Sequence, residues 1–198
     1  MLQSFFRENC VEAGCDEAGR GCLAGPVFAA AVVFPPNYQH SELSDSKKLS
    51  ESKRYTLRSV IEQDALAFAV GIVDNSTIDR INILQSSFLA MHRAIDNLST
   101  VPEHILVDGN AFKQYKNIPH TCIIKGDGLY VSIAAASVLA KTYRDDYMKK
   151  IHEEFPVYNW NSNKGYPTVA HREAVLKHGT SKYHRLSFSV SNQLRLKL

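Results

Sequence analysis

The chain has 198 residues, 44% hydrophobic and 22% charged, enough to bury a core and too apolar for a disordered polyelectrolyte. No apolar run approaches the roughly 18 residues of a membrane span. The formal charge of +3 hides an asymmetry: residues 141–198 carry 11 basic and 5 acidic side chains, residues 1–140 carry 12 and 15. A split of this kind points to an anionic partner. The opening Met1-Leu2-Gln3-Ser4-Phe5-Phe6-Arg7-Glu8 lacks the basic, apolar and small-residue order of a signal peptide. Cysteines 10, 15, 22 and 122 form no CxxC pair. They read as free thiols in a reducing cytoplasm, and a structural zinc site is rejected.

In chain order, residues 11–15 and 26–34 are short apolar runs of strand length, joined by the Gly-rich stretch from Gly19-Arg20-Gly21 to Gly25-Pro26. Ser50 is placed to cap a helix over about 51–63, and 67–73 reads as a third strand. Ile81, Leu84, Phe88, Met91, Ile95 and Leu98 recur at steps of three and four, one face of a long helix over 79–98. Residues 104–107 and 121–124 are strand-like. A second helical stripe runs through Ile133, Ala136, Ala140, Tyr143, Tyr147 and Ile151, and its small residues Ala134 to Ser137 permit close packing on a sheet. Thr168 starts a last helix that Gly179 ends. Three strands with hairpin-like links, followed by alternating strands and helices, predict an α/β fold. Its mixed sheet is flanked by helices, with a small helical C-terminal part after about 150, all in one domain.

Acidic residues stand where strands end: Asp16-Glu17, Asp108 before Gly109, and Asp127 in Lys125-Gly126-Asp127-Gly128. Four converging carboxylates would repel one another unless cations neutralised them, and oxygen ligands without His or Cys favour Mg²⁺ or Mn²⁺. Two such ions about 4 Å apart suit in-line attack on a phosphodiester. Each carboxylate also has a plainer reading. Asp108-Gly109 is a common turn pair. Adjacent strand residues such as Asp16 and Glu17 face opposite ways, so they share one site only if the backbone turns there. Gly19-Arg20-Gly21 offers backbone N–H groups to an anion or hydroxyl, although most glycine turns only turn. Tyr158, Trp160 and Tyr166, interleaved with Asn159, Asn161, Asn163 and Lys164, suit nucleic acid or anchor a loop to the core.

Asp16-Glu17-Ala18-Gly19-Arg20-Gly21 and Leu23-Ala24-Gly25-Pro26-Val27 resemble the signature of type 2 ribonuclease H (ribonuclease HII). The likeness continues in Asp45-Ser46-Lys47-Lys48-Leu49-Ser50, Val107-Asp108-Gly109-Asn110 and Lys125-Gly126-Asp127. It extends through Ser132–Ser137, Ala140-Lys141, Arg144-Asp145, Asn163-Lys164-Gly165-Tyr166 and His184-Arg185-Leu186-Ser187-Phe188. The blocks span about 16 to 188 in the family's order; Cys15 and Cys22 are small departures that change no ligand. The resemblance implies a ribonuclease H-like fold and endonucleolytic cleavage of RNA in RNA–DNA hybrids. It also implies incision on the 5′ side of single ribonucleotides in duplex DNA, leaving 3′-hydroxyl and 5′-phosphate ends. By similarity Asp16, Glu17, Asp108 and Asp127 are the catalytic metal ligands for two Mg²⁺ or Mn²⁺ ions. Gly19, Arg20 and Gly21 contact the ribose 2′-hydroxyl, Tyr166 stacks at the ribonucleotide–deoxyribonucleotide junction, and Lys47 and Lys141 touch the backbone. Lys164 is expected to bind phosphate too. Residues 191–198 show no clear sliding-clamp motif, so no clamp partner is expected; the default is a monomer with no protein partner. The competing readings are another metal nuclease, a non-catalytic hybrid-binding protein and, more distantly, a sugar hydrolase.

Overall fold

The computed structural model describes residues 2–43 and 49–189. Five strands, β1 (Glu12–Ala18), β2 (Val27–Val33), β3 (Ala67–Val73), β4 (His104–Asp108) and β5 (His120–Ile123), form one mixed sheet in the order β3-β2-β1-β4-β5. β2 runs antiparallel to both β1 and β3, whereas β1, β4 and β5 are parallel. Helices α1 (Glu51–Asp64), α2 (Asn75–Asp96) and α3 (Val131–Glu154) flank the sheet, and the short α4 (Trp160–Asn163) and α5 (Val169–His178) follow.

The Val27–Val33 run is buried on both faces, as a strand between two helical layers must be. Val27, Ala29 and Ala31 pack with Ile78, Ala90, Met91 and Ile95 of α2. Ala30 and Val32 pack with Leu57 and Ile61 of α1 and with Ala135, Ala136 and Leu139 of α3. The small residues of α3 allow it to lie directly on β1. At Gly14 an added Cβ would stand 2.3 Å from the Ser132 backbone, so a side chain there would push helix and strand apart.

The helix boundaries follow their caps. Ser50 accepts the Lys53 N–H, and Thr168 accepts the His171 N–H. The expected 79–98 helix starts earlier, where Asp74 caps Thr77, and it is broken at Asn82 (φ 65°, ψ 166°). The chain leaves the helix there with a positive φ, and the Asn82 Oδ1 accepts the Gln85 N–H, capping the second half afresh. Only the link from β1 to β2 is hairpin-like; α1 intervenes between β2 and β3. β1 also continues through Ala18, because pairing with β2 persists to Ala18↔Phe28.

The C-terminal part has its own small core. Trp160 is fully buried among Ala24, Met148, Ile151, Tyr158 and Val175. Of the two readings open for Trp160 and Tyr158, the structure therefore gives the loop anchor.

Candidate active site

The register of the parallel pair decides where the acids meet. Cys15 pairs with Val107, so the next residues, Asp16 and Asp108, sit side by side on neighbouring strands. Cys15, Ile105 and Val107 face α2, so strand alternation turns Asp16 and Asp108 to the α3 side. Glu17 falls on the other face. The backbone does not turn at Glu17 as a shared site seemed to require. The cleft lies at the strand end instead, and both residues line it.

That cleft, about 270 Å³, is lined by Asp16, Glu17, Asp108, the Ala18–Gly21 loop, Ser137 and Lys141 of α3, and Tyr166. Asp16 is only 6% exposed. Burial, then the carboxylates of Glu17 and Asp108, push its carboxyl well above the usual range. The Ser137 hydroxyl and the Glu17 N–H, 2.7 Å from Asp16 Oδ1, oppose that shift. Asp108 Oδ1 accepts the Gly126 N–H at 2.7 Å, tying β4 to the turn that holds Asp127. Asp127 is 3% exposed and is not on the cleft lining.

An oxygen-only donor set whose buried members repel one another fits a hard divalent cation. Among the described residues, no three His, Cys, Asp or Glu side chains are gathered tightly enough to hold an ion as they stand. A larger hollow of about 370 Å³ lies toward the opposite end of β1, between residues 4–12 and 34–37, and has no such acidic cluster.

The remaining expected residues separate. Arg20 is exposed and donates to Glu17 Oε1 at 3.0 Å. Lys141 lines the cleft while its ammonium bridges both oxygens of Asp145, a carboxylate 1% exposed. Lys164 is 7% exposed, is not on the lining, and donates to the Asn161 carbonyl; burial holds its ammonium below the usual range. Lys47 lies outside the described residues.

Tyr166 is 39% exposed at the cleft, and burial raises its phenol. A neutral imidazole pair holds its backbone. Ser181 N–H donates to His184 Nδ1 at 2.9 Å, which leaves the His184 proton on Nε2, facing His171 Nε2 at 3.3 Å. Trp160 also donates to His171 Nε2, so His171 carries its proton on Nδ1 and donates it to the Tyr166 carbonyl at 2.9 Å.

Two residues absent from the expected site matter most to its shape. Arg144, fully buried, donates to the carbonyls of Pro26, Ala24 and Lys164 at 2.8–3.1 Å. Arg185, 2% exposed, donates to those of Gly25, Arg20 and Gly19 at 2.7–2.9 Å. Gly19 must be glycine here: its φ is +95°, and a Cβ would fall 2.0 Å from Arg144 Nε. Both arginines lie in blocks of the family resemblance, but nothing in their local sequence marks backbone carbonyls as partners.

The mixed sheet flanked by helices, with paired aspartates at adjacent strand ends, defines a protein of the ribonuclease H-like class. Residues 13–191 match the family described as Ribonuclease HII. A Bacteroides fragilis ribonuclease HII is 62% identical over 198 residues, covering 100% of this chain and 98% of the relative. The chain belongs to the ribonuclease HII family. Among solved structures, the ribonuclease H2 of Pyrococcus horikoshii OT3 aligns with a TM-score of 0.75 at 22% identity, covering 93% of this chain and 97% of that one. Bst-RNase HIII in complex with Mn²⁺ aligns with a TM-score of 0.73 at 18% identity, covering 91% and 68%.

Proposed function

We propose that this chain is a ribonuclease H that cleaves the RNA strand of RNA–DNA hybrids and incises 5′ of single ribonucleotides in duplex DNA. The observation that carries the reading is one juxtaposition. Asp16 and Asp108, side by side on one sheet face, share a cleft with the Gly19-Arg20-Gly21 loop and Tyr166. Membership of the ribonuclease HII family supports the same activity.

Asp16, Glu17, Asp108 and Asp127 would hold two Mg²⁺ or Mn²⁺ ions. Bound there, the ions supply activation of the attacking water and stabilisation of the leaving 3′-oxygen. The protein's own groups do the rest. Gly19, Arg20 and Gly21 bind the 2′-hydroxyl, the group that distinguishes RNA from DNA. Tyr166 stacks on the neighbouring sugar at the junction. Lys141 contacts a backbone phosphate while Asp145 holds its ammonium in place; Lys47 and Lys164 are assigned to phosphate as well. Ser137 orients Asp16. The products carry 3′-hydroxyl and 5′-phosphate ends. In this reading the chain acts as one cytoplasmic, monomeric domain without a protein partner.

The test is a duplex DNA containing one ribonucleotide, incubated with Mg²⁺ or Mn²⁺. A single cut on the 5′ side of the ribonucleotide is expected, with none in the all-DNA duplex. No cut, or equal cutting of both, overturns the reading.

A further inference from the structure

Within the Gly19–Gly25 loop the Cys22 N–H donates to the Gly19 carbonyl at a long 3.4 Å. The loop is otherwise pinned between two distant parts of the chain. Leu23 N–H donates to the Gly165 carbonyl at 2.8 Å, Gly25 N–H to the Tyr183 carbonyl at 2.9 Å, and Arg185 N–H to the Leu23 carbonyl at 2.8 Å. Ala24 and His184 form an antiparallel bridge. Behind this seam the Arg185 guanidinium reaches the carbonyls of Gly19, Arg20 and Gly25.

A trans peptide places its carbonyl and N–H on opposite sides. Drawing the Gly19 and Arg20 carbonyls inward to Arg185 therefore turns the N–H groups of Arg20 and Gly21 away from it, outward on a loop that lines the cleft. A buried cation is costly unless its donors are satisfied. Arg185 spends three of its donor contacts on this one loop, with its charge spread over carbonyl dipoles.

We propose that Arg185 is a positioning residue for ribose recognition. It sets the enzyme's preference for a 2′-hydroxyl by fixing the backbone of Gly19, Arg20 and Gly21, without touching the nucleic acid. The inference rests on the function proposed above, in which this loop reads the ribose.

Arg185 is itself held from the surface. Asp79 of α2 accepts the Leu186 N–H at 2.9 Å, the Ser187 N–H at 3.0 Å and the Ser187 hydroxyl at 2.6 Å. Asn75, one turn earlier, donates to the Lys182 and His184 carbonyls. The N-terminal end of α2 thus clamps the segment that inserts the guanidinium. Asp79 offers a way to loosen Arg185 without removing a buried charge.

The experiment compares wild type with Arg185→Lys and Asp79→Ala, each first shown to unfold cooperatively. Two quantities are measured with Mn²⁺: kcat/KM on a duplex with one ribonucleotide, and the inhibition constant of the matching all-DNA duplex as competitor. Lysine keeps the charge but cannot span three carbonyls. Arg185→Lys is expected to lower kcat/KM at least tenfold while the DNA inhibition constant stays within twofold. Asp79→Ala is expected to move the same way by two- to fivefold, and it carries the test alone if Arg185→Lys does not fold. Unchanged kcat/KM in the folded variants overturns the proposal. So does an equal loss on both duplexes, since a general loosening of the fold would weaken DNA binding as much. A wild-type chain that fails to cut the ribonucleotide duplex overturns the functional reading itself, before any variant is made.

Discussion

On one side of the cleft, Asp16 and Asp108 hold like charges together, and burial with repulsion raises the Asp16 carboxyl. On the other side, Arg144 and Arg185 each spread a buried charge over three carbonyl oxygens. The first wall is electrostatically unfinished and gains from an added cation. The second is complete, and disturbing it only loses contacts. Unrelieved charge marks where a ligand belongs; fully partnered charge marks where the backbone is being shaped.

The largest test of this contrast is Arg144→Ala. It removes the guanidinium from the carbonyls of Pro26 and Ala24 and leaves that of Lys164 only the Cys22 thiol, a buried unpaired carbonyl costing about 1–3 kcal/mol. Urea unfolding should show a loss of about 3 kcal/mol or more. A loss under about 1 kcal/mol would break the claim that this wall is structural.

Asp108→Asn probes the opposite wall. The amide oxygen can still accept from Gly126, while the repulsion with Asp16 disappears. In metal-free buffer this variant should unfold at higher urea than wild type. Its cleavage should fall by about 100-fold or more, beyond the 10–100-fold lost when only an outer support of a metal site is removed. Mn²⁺ should raise the wild-type midpoint more than that of the variant, by the linkage of ligand binding to stability.

The imidazole pair gives a pH dependence of its own. Burial, then His171, lowers the His184 pKa to about 4 from an ordinary 6.5. Above pH 6.5 His184 is neutral in both folded and unfolded chains. Below it the unfolded chain takes up a proton that the folded chain refuses. Stability is therefore full above about 6.5 and is lost as pH falls toward about 4, by on the order of 2 kcal/mol. His184→Gln should flatten this part of the stability profile measured by urea midpoints.

The smallest effect concerns Tyr166. Base or sugar stacking on an aromatic ring is worth about 1–3 kcal/mol, so Tyr166→Ala should cut junction cleavage about tenfold while Tyr166→Phe stays near wild type. Equal kinetics in the alanine variant would remove Tyr166 from the cleft's working surface.

Much of this was legible because it is local. Within the three-and-four spacing, Phe88, Met91 and Ile95 do report the buried face of α2, and Ser50, Thr168 and Gly179 mark ends through chemistry within a few residues. Asp16 and Asp108 were legible as strand-end acids, but their adjacency depends on the β1–β4 register, which only the folded sheet sets. The break at Asn82 shifts the buried face: Leu84 of the expected stripe is 40% exposed, while Ile78 before the break and Ile83 after it pack on the core. The burial of Lys164 was not legible, because a basic side chain beside aromatics usually faces solvent. Its ammonium bonds the Asn161 carbonyl, and its own carbonyl accepts from Arg144. Arg144 and Arg185 were illegible as shape-makers for a general reason. Their partners are backbone oxygens 20 to 166 residues away, and any residue type supplies a carbonyl.

That last separation has a consequence for how the chain is made. The Gly19–Gly25 loop leaves the ribosome early, yet the guanidinium that fixes it comes from Arg185, made some 160 residues later. Closing so long a span costs entropy before any contact repays it. β1, β2 and the strands and helices that follow can assemble first, while the loop waits with its carbonyls solvated. The loop therefore takes its final shape only once residue 185 has been made, and a polypeptide stalled short of it has Asp16 and Asp108 without the guanidinium that sets the loop beside them.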